Sequence, residues 1–345
     1  MVNLFLAALG VFALGRHALE GMPNMKSLLV VATAVALSCP GGSYAQPYPV
    51  KPVRYLVPFP AGGSPDIVGR LLADRLSRMW GQQVVVDNRS GAGGTVAAGI
   101  GARAAPDGYT LFQCNIASNA IAASLYAKLS YEPLRDFAPI SRIGTTSSAL
   151  IVHPSMPVSS IAEFIAHAKA NPGKVSYGSS GMGSSPHLAM ELFKTMTGID
   201  VVHIAYKGAA PALADLIGGQ VPVGISNIPA LLSPIQTGRA RALAVTGAKR
   251  TSQLPSVPTM SESGLAGYEV TSWYGVCAPA GTPVRVLNKL HLDVIRVLQM
   301  PDVQQRLNDL VVDVAPTSRK DFAAFIRAET RRWAQVVKDA GLSQQ

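Results

Sequence analysis

Residues 60–76 read "PAGGSPDIVGRLLADRL" and combine a glycine-rich turn with an amphipathic helix. The glycine pair tolerates backbone conformations that other residues avoid, and Ser64 is a good N-cap. Pro65 suits the first helical position, and Asp66 favours the positive end of the helix dipole. Free N–H groups at such a terminus attract anions. The stretch therefore predicts a helix over 66–79 whose start suits an anionic group.

Short apolar strands alternate with helical patterns along most of the remaining chain. This alternation is typical of open α/β folds with a mainly parallel sheet. The predicted strands are 53–59, 83–89, 109–115, 174–180, 201–206, 221–227, 241–247 and one within 268–283. The predicted helices are 66–79, 95–105, 161–170, 186–197, 209–217, 229–237 and two long ones that contain 284–298 and 322–336.

The composition indicates a globular protein. Of 345 residues, 48% are hydrophobic and 14% are charged, which supplies a core and argues against disorder. The formal net charge is +10, but the basic residues occur at most in pairs, without the clustered stripe that nucleic acids need. We interpret the charge as solvated surface that steers anionic ligands mildly.

The first 45 residues have the features of a targeting leader. Lys26 is a charged n-region, 28–37 is an apolar h-region, and small residues end at Ala45, so we expect a signal peptide cleaved after Ala45. Translation is expected to begin at Met22 or Met25. The "ALSC" that ends at Cys39 lacks the usual aliphatic residue three places before the cysteine of a lipoprotein signal, which favours soluble export over an anchor.

Beyond this leader the chain keeps two cysteines, Cys114 and Cys277. Both lie in apolar strand-like runs. Two buried free thiols are the favoured interpretation, and pairing in an oxidising compartment is the alternative.

The glycine-rich turns do not match nucleotide-binding motifs. The turn at 60–66 has no Lys-Ser/Thr pair, so it is not a Walker A loop, and the run at 91–99 has Val96 where a dinucleotide loop has its third glycine. A later turn ends in Ser185-Pro186 at the head of a helix and so repeats the Ser64-Pro65 pattern. If two lobes face each other, both helix N-termini point into one cleft and bind an anion there.

Motifs for catalysis are weak. The sequence has no G-x-S-x-G elbow, H-E-x-x-H or C-x-x-C motif, and no metal-ligand spacing. A pair of Ser180 and His187 is conceivable because the two lie close in sequence. We therefore expect no catalytic residue, no metal and no cofactor, with a secreted serine hydrolase as the alternative.

Seven blocks resemble one family in its own order, the Bug (Bordetella uptake gene) or TctC-like family. These proteins are the extracytoplasmic solute-binding components of tripartite tricarboxylate transporters. The resemblance extends from Tyr48 to about Gly341. The blocks are "YPVKPVRYLVPFPAGGSPD", "APDGYTL", "LYAKLSYEPLRDFAPI", "NPGKVSYGSSGMGSSPHLAMELF", "VHIAYKGAAPALADLIGGQV", "RALAVTGAKR" and "SWYGVCAPAGTP".

The resemblance implies an α/β, two-lobed periplasmic binding protein fold (type II-like) with an interlobe ligand cleft. Lobe 1 is expected to comprise 46–146 and 271–345, and lobe 2 to comprise 147–270. The protein would close around a small carboxylate or related organic solute and present it, as a monomer, to a membrane permease. Signalling to a sensor kinase is an alternative, and a dicarboxylate, an aromatic acid and an amino acid all stay open as ligands.

Motif by motif, the resemblance also implies a set of ligand-binding residues. Ser226 departs from the acidic residue of many relatives, and Trp273 and Tyr274 are interpreted as hinge or core residues. For Asp66 a structural role is favoured over ligand contact. The implied set is Pro60, Ala61, Gly62, Gly63, Ser64, Asp66, Ser118, Asn119, Ser179, Ser180, Gly181, Met182, Gly183, Ser184, Tyr206, Lys207, Gly208 and Asn227.

Overall fold

The computed structural model describes residues 48–339 and 341–342. The predicted leader, with its cleavage site at Ala45, its alternative starts and Cys39, lies outside these residues. None of the described helices combines the length and the hydropathy needed to cross a membrane.

Strands and helices alternate much as predicted. The strands are β1 (Val53–Val57), β2 (Val84–Asn88), β3 (Thr110–Asn115), β4 (Phe137–Val152), β5 (Ser176–Ser179), β6 (Val202–Ala205), β7 (Val223–Asn227), β8 (Arg241–Val245), β9 (Thr271–Pro279) and β10 (Asp313–Val314). The helices are α1 (Ser64–Trp80), α2 (Thr95–Ala102), α3 (Ala122–Leu125), α4 (Ile161–Ala170), α5 (Ser185–Thr197), α6 (Ala209–Ile217), α7 (Ile228–Gln236), α8 (Val284–Leu298), α9 (Pro301–Asp309) and α10 (Arg319–Asp339).

Two helix ends show the capping expected of their residues. Ser160 caps α4 by accepting a hydrogen bond from the backbone N–H of Glu163, as the capping box predicts. Gly81 caps the C-terminus of α1, and its left-handed conformation (φ 62°) suits glycine. The apolar face of α1 buries Leu72 and Leu76 against the sheet.

The sheet is mixed, so the prediction of a mainly parallel sheet is wrong. Strand β1 pairs in parallel with β2 and β3, and β5 pairs in parallel with β6 and β7. Helices α1 and α2 lie between β1, β2 and β3 in the chain, and α5 and α6 lie between β5, β6 and β7, as the crossover connections of parallel strands require. However, β3 pairs antiparallel with β9, and β4 pairs antiparallel with β7, β8, β9 and β10.

Strand β4 was not predicted, although it is the longest strand described, with 16 residues. It pairs with β9 as far as Ser147 opposite Thr271, and then with β7 from Ser148 opposite Asn227. Its middle, "SRIGTTSS", is polar and contains glycine, so it lacks the apolar pattern of a buried strand. This strand is nevertheless the link between the two groups of parallel strands.

Cys114 and Cys277 form a disulfide, so the favoured interpretation as free thiols is wrong. Strands β3 and β9 are antiparallel neighbours, with Cys114 opposite Gly275 and Phe112 opposite Cys277. This register places the two cysteine Cα atoms 5.8 Å apart, within the range that a disulfide spans. A pairing between residues 163 positions apart depends on strand order, which sequence patterns do not give.

Candidate ligand-binding site

A cavity lies where the two groups of strands meet. Its wall is built mainly from small residues, hydroxyl groups, amides and aromatic rings. The lining residues are Phe59, Gly63, Ser64, Pro65, Asn115, Ile116, Ala117, Ser180, Ser184, Ser185, Pro186, Ala209, Ser226, Asn227, Ser272, Trp273 and Tyr274.

Four helices of the described chain begin at this wall. The lining includes the N-cap or first residues of α1, α5, α6 and α7. Each helix start carries a partial positive charge from its unpaired N–H groups. No Asp, Glu, Lys, Arg or His is among the residues that line the cavity. The cavity is therefore electropositive through backbone dipoles rather than through charged side chains.

Both serine-proline turns reach this cavity, but their caps differ from the expectation. The N-cap of α1 is Gly63, not Ser64, and it makes no side-chain cap bond. The N-cap of α5 is Ser184, whose hydroxyl accepts a hydrogen bond from the His187 N–H. Because Ser64 and Ser185 are the first helical residues instead, their hydroxyls are free to bond elsewhere.

An ionised carboxylate supports the first turn. Asp66 accepts hydrogen bonds from the Gly62 N–H (2.9 Å) and from Arg70 Nε (3.0 Å). Asn88 Nδ2 donates to its other oxygen at 2.9 Å. Burial alone raises the pKa of this carboxyl, but the hydrogen bonds outweigh burial and hold the pKa below its usual value. Asp66 is thus a structural residue of the turn, as favoured, and does not line the cavity.

Neutral groups support the second turn. The Ser179 hydroxyl lies 2.7 Å from His203 Nε2, and the backbone N–H of Gly181 donates to that hydroxyl at 3.2 Å. The His203 ring stacks on the His187 ring with centroids 4.4 Å apart. Burial is the main cause that lowers the pKa of His187 to about 4 and that of His203 to about 3. Both rings are therefore uncharged at neutral pH.

The conceivable catalytic pair of Ser180 and His187 is not formed. The Gly183 N–H donates to His187 Nδ1 at 3.3 Å, and His187 Nε2 faces Glu191 at 3.9 Å. Both ring nitrogens are thus directed at other groups. Ser180 lines the cavity without a histidine partner. The geometry gives no support to the hydrolase alternative.

Ser118 and Asn119 are fully buried and do not line the cavity. The Ser118 hydroxyl donates to Asn119 Oδ1 at 2.8 Å and accepts from Asn115 Nδ2 at 3.1 Å. The neighbouring Asn115 lies at the end of β3 and does line the wall. The two predicted residues thus orient Asn115, which the sequence analysis had not selected.

Residues of the "YKG" segment support the wall from outside. The Tyr206 hydroxyl donates to Asp215 at 2.6 Å, and burial together with this bond raises the pKa of Tyr206 to about 12. Lys207 is exposed. A Cβ added at Gly208 would collide with the Pro60 ring, so glycine permits the close approach of the segment to the first turn.

Five of the predicted site residues line the cavity, and the others lie around it. Those on the wall are Gly63, Ser64, Ser180, Ser184 and Asn227. Those outside it are Pro60, Ala61, Gly62, Asp66, Ser118, Asn119, Ser179, Gly181, Met182, Gly183, Tyr206, Lys207 and Gly208.

Several wall residues were missed. Trp273 and Tyr274 lie near the start of β9 and contribute to the wall, although each is only 1% exposed. Polar residues at strand ends, such as Asn115 and Ser226, were the available signal, because ligands of α/β folds bind beyond the carboxyl ends of strands. Among the described residues, no group of three or more His, Cys, Asp or Glu side chains is placed to hold a metal.

Comparisons with known proteins cover nearly all of the described chain. Residues 68–342 match the family model described as tripartite tricarboxylate transporter family receptor. Protein BugT of Bordetella pertussis is 38% identical over 298 residues, which cover 86% of this chain and 91% of BugT.

Two solved structures from Rhodopseudomonas palustris share the fold. Rpa4515 with adipate is 39% identical, with a TM-score of 0.84, and the match covers 86% of this chain and all of that one. MatC with bound malate is 32% identical, with a TM-score of 0.81, and the match covers 84% of this chain and all of that one. These similarities confirm the two-lobed periplasmic binding protein fold.

Proposed function

Because the chain belongs to the tripartite tricarboxylate transporter receptor family, we propose that it captures a small carboxylate in the cavity described above. Members of this family are periplasmic solute-binding proteins. The proposed role is to deliver the bound acid to the membrane subunits of such a transporter.

The observation that carries the proposal is the set of four helix starts at an otherwise uncharged wall. Partial positive charges from backbone N–H groups stabilise a carboxylate without a fixed cation. Among the five predicted residues on the wall, Gly63, Ser64, Ser180 and Ser184 are the proposed ligand contacts, and Asn227 is proposed to position the wall. The adipate of Rpa4515 and the malate of MatC are both dicarboxylates, which supports an organic acid as the ligand of this chain.

The proposed lobes are 46–146 with 271–345, and 147–270. The change of β4 partners between Ser147 and Ser148, opposite the start of β9, supports these boundaries. A ligand that bridges both lobes favours the closed arrangement, and the transporter would recognise that arrangement. The role requires no chemistry on the ligand, so we propose that the protein is not an enzyme. It acts in the periplasm as a monomer after cleavage near Ala45.

A thermal-shift screen of the protein without its leader tests the proposal. Adipate, malate, citrate, benzoate and amino acids are each compared with their neutral esters or amides. A ligand at a thousand times its Kd adds roughly 4 kcal/mol to the free energy of unfolding. We expect an acid to raise the melting temperature while its ester does not. Equal shifts by acid and ester, or no shift by any acid in ligand-free protein, would refute carboxylate capture.

A further inference from the structure

The Asn227 side chain is hydrogen-bonded to residues of the neighbouring strands β4 and β9. Its Oδ1 accepts hydrogen bonds from the Ser148 hydroxyl (2.8 Å) and from the Ser272 hydroxyl (2.9 Å). Its Nδ2 donates to the Tyr274 hydroxyl at 2.9 Å. Each of these four residues is at least nine-tenths buried. The amide is therefore engaged by protein groups at both its oxygen and its nitrogen.

The first residues of α1 and α5, Ser64 and Ser185, both hydrogen-bond to Asn227 or to one of its partners. The Ser64 hydroxyl donates to the Asn227 carbonyl oxygen at 3.3 Å. The Ser185 hydroxyl is hydrogen-bonded to the hydroxyl of Ser272. Asn227 thus links α1 directly, and α5 through one serine.

The Asn227 cluster, formed by Asn227, Ser148, Ser272 and Tyr274, lies where β4 changes its partner strand from β9 to β7. Ser148 is the first β4 residue that pairs with β7, directly opposite Asn227. Ser272 and Tyr274 lie on β9, opposite the part of β4 just before that change. Hydrogen bonds at this point join β4, β7 and β9, and so fix how the two groups of strands meet.

We infer that Asn227 is a positioning residue for closure. Its hydrogen bonds hold β4, β7 and β9, and the starts of α1 and α5, in the arrangement that completes the cavity. This inference rests on the proposed function, since it explains how that cavity is assembled. An unsatisfied buried amide is costly, so removal of one partner weakens the whole arrangement. The acid itself is bound by the helix starts.

Ser148→Ala is the decisive variant because Ser148 does not line the cavity and so cannot contact a ligand. Calorimetric titration uses adipate, malate and the acid with the largest shift in the screen. We expect Kd to rise about tenfold for every acid that wild type binds, with the ratios between acids unchanged. Should Ser148→Ala fail to fold, Ser272→Ala removes the other donor to Oδ1. Because Ser272 lines the cavity, the unchanged ratios between acids carry the test in that variant.

Ser141→Ala is the matched control. Ser141 is fully buried on the same strand, and its hydroxyl bonds to Thr317 instead of to the Asn227 cluster. We expect a lower melting temperature and an unchanged Kd. Wild-type Kd in Ser148→Ala, or altered ratios between acids, would overturn the inference while capture by wild type upholds the proposed function. Absence of binding by wild type would overturn both.

Discussion

The turns 60–66 and 179–187 look alike in sequence, and both place the start of a helix at the same cavity. The group that supports the first turn is charged, whereas the groups that support the second turn are neutral. The first is held by the ionised Asp66, and the second by the uncharged Ser179, His203 and His187. A Gly-rich Ser-Pro signature therefore indicates where a helix begins, but it does not indicate what fixes the turn before it.

The difference has a consequence for how each turn responds to change. A carboxylate with three hydrogen-bond donors depends on keeping its charge. A stacked pair of buried imidazoles depends on having no charge. Substitutions and acid should therefore affect the two turns in distinguishable ways.

Among single substitutions, loss of the Asp66 charge is expected to have the largest effect. Asp66→Asn presents an amide N–H₂ to donors, so at least one of Gly62, Arg70 and Asn88 loses its acceptor. We expect the free energy of unfolding to fall by about 3 kcal/mol. Urea denaturation measures the change.

Asp74→Asn on the same helix is the control for this substitution. Asp74 forms exposed ion pairs with Arg75 and Arg78. Such pairs contribute roughly 0–1 kcal/mol. Equal losses in the two variants would show that Asp66 is not the support of the first turn.

Mild acid should loosen the second turn first. Folding lowers the pKa of His187 and His203 from about 6.5 to about 4 and about 3, so the unfolded chain binds more protons below pH 6.5. Stability is full above pH 6.5 and falls as the pH drops toward 4. Between pH 7 and pH 5 we expect a loss of about 2 kcal/mol for each of the two histidines. Asp66, whose pKa is lowered, adds to the loss only at more acidic pH.

His203→Gln tests the source of this pH dependence. It removes one titrating ring from the stack, so the decline in unfolding free energy between pH 7 and pH 5 should become shallower. His167→Gln, on α4 and outside this stack, serves as the comparison and should leave the slope close to that of wild type. An unchanged slope in His203→Gln would assign the acid sensitivity elsewhere.

Removing the serine hydroxyl at the start of each helix should lower the free energy of unfolding by a smaller amount. Ser184 accepts a bond from the His187 N–H and donates to the Gly181 carbonyl at 2.7 Å. Ser184→Ala removes both bonds, and we expect a loss of about 1–2 kcal/mol in thermal or urea unfolding. Ser64→Ala, at the position that the sequence equates with a cap, should cost less because its hydroxyl makes one longer bond, at 3.3 Å. The reverse order would mean that Ser64 is the true cap.

The sequence predicts local features of this site and misses the long-range ones. The helix starts, the Ser160 capping box and the glycine turns depend on neighbours within a few residues, so they are readable. The disulfide and the polar strand β4 depend on which strands become neighbours. The support of each turn is equally remote in sequence, since Asn88 and His203 lie about twenty residues from the groups they contact. The family resemblance supplied the fold and function where local patterns did not.

The smallest change in stability is expected when the first turn receives a serine N-cap like Ser184 of the second turn. Gly63 has φ −78° and ψ 162°, which any residue adopts, and a Cβ there would lie 3.4 Å from the nearest atom. Gly63→Ser can therefore place a hydroxyl at the N-cap of α1, and we expect a gain of a few tenths of a kcal/mol. Gly62→Ser is the matched control, because Gly62 has φ 80° and an added Cβ would make only an ordinary contact with Ala210, 3.9 Å away, so backbone strain should cost about 1 kcal/mol. A loss in both variants would mean that the first turn needs both glycines for reasons other than backbone angle, and the likeness between the two turns would then end at their sequence.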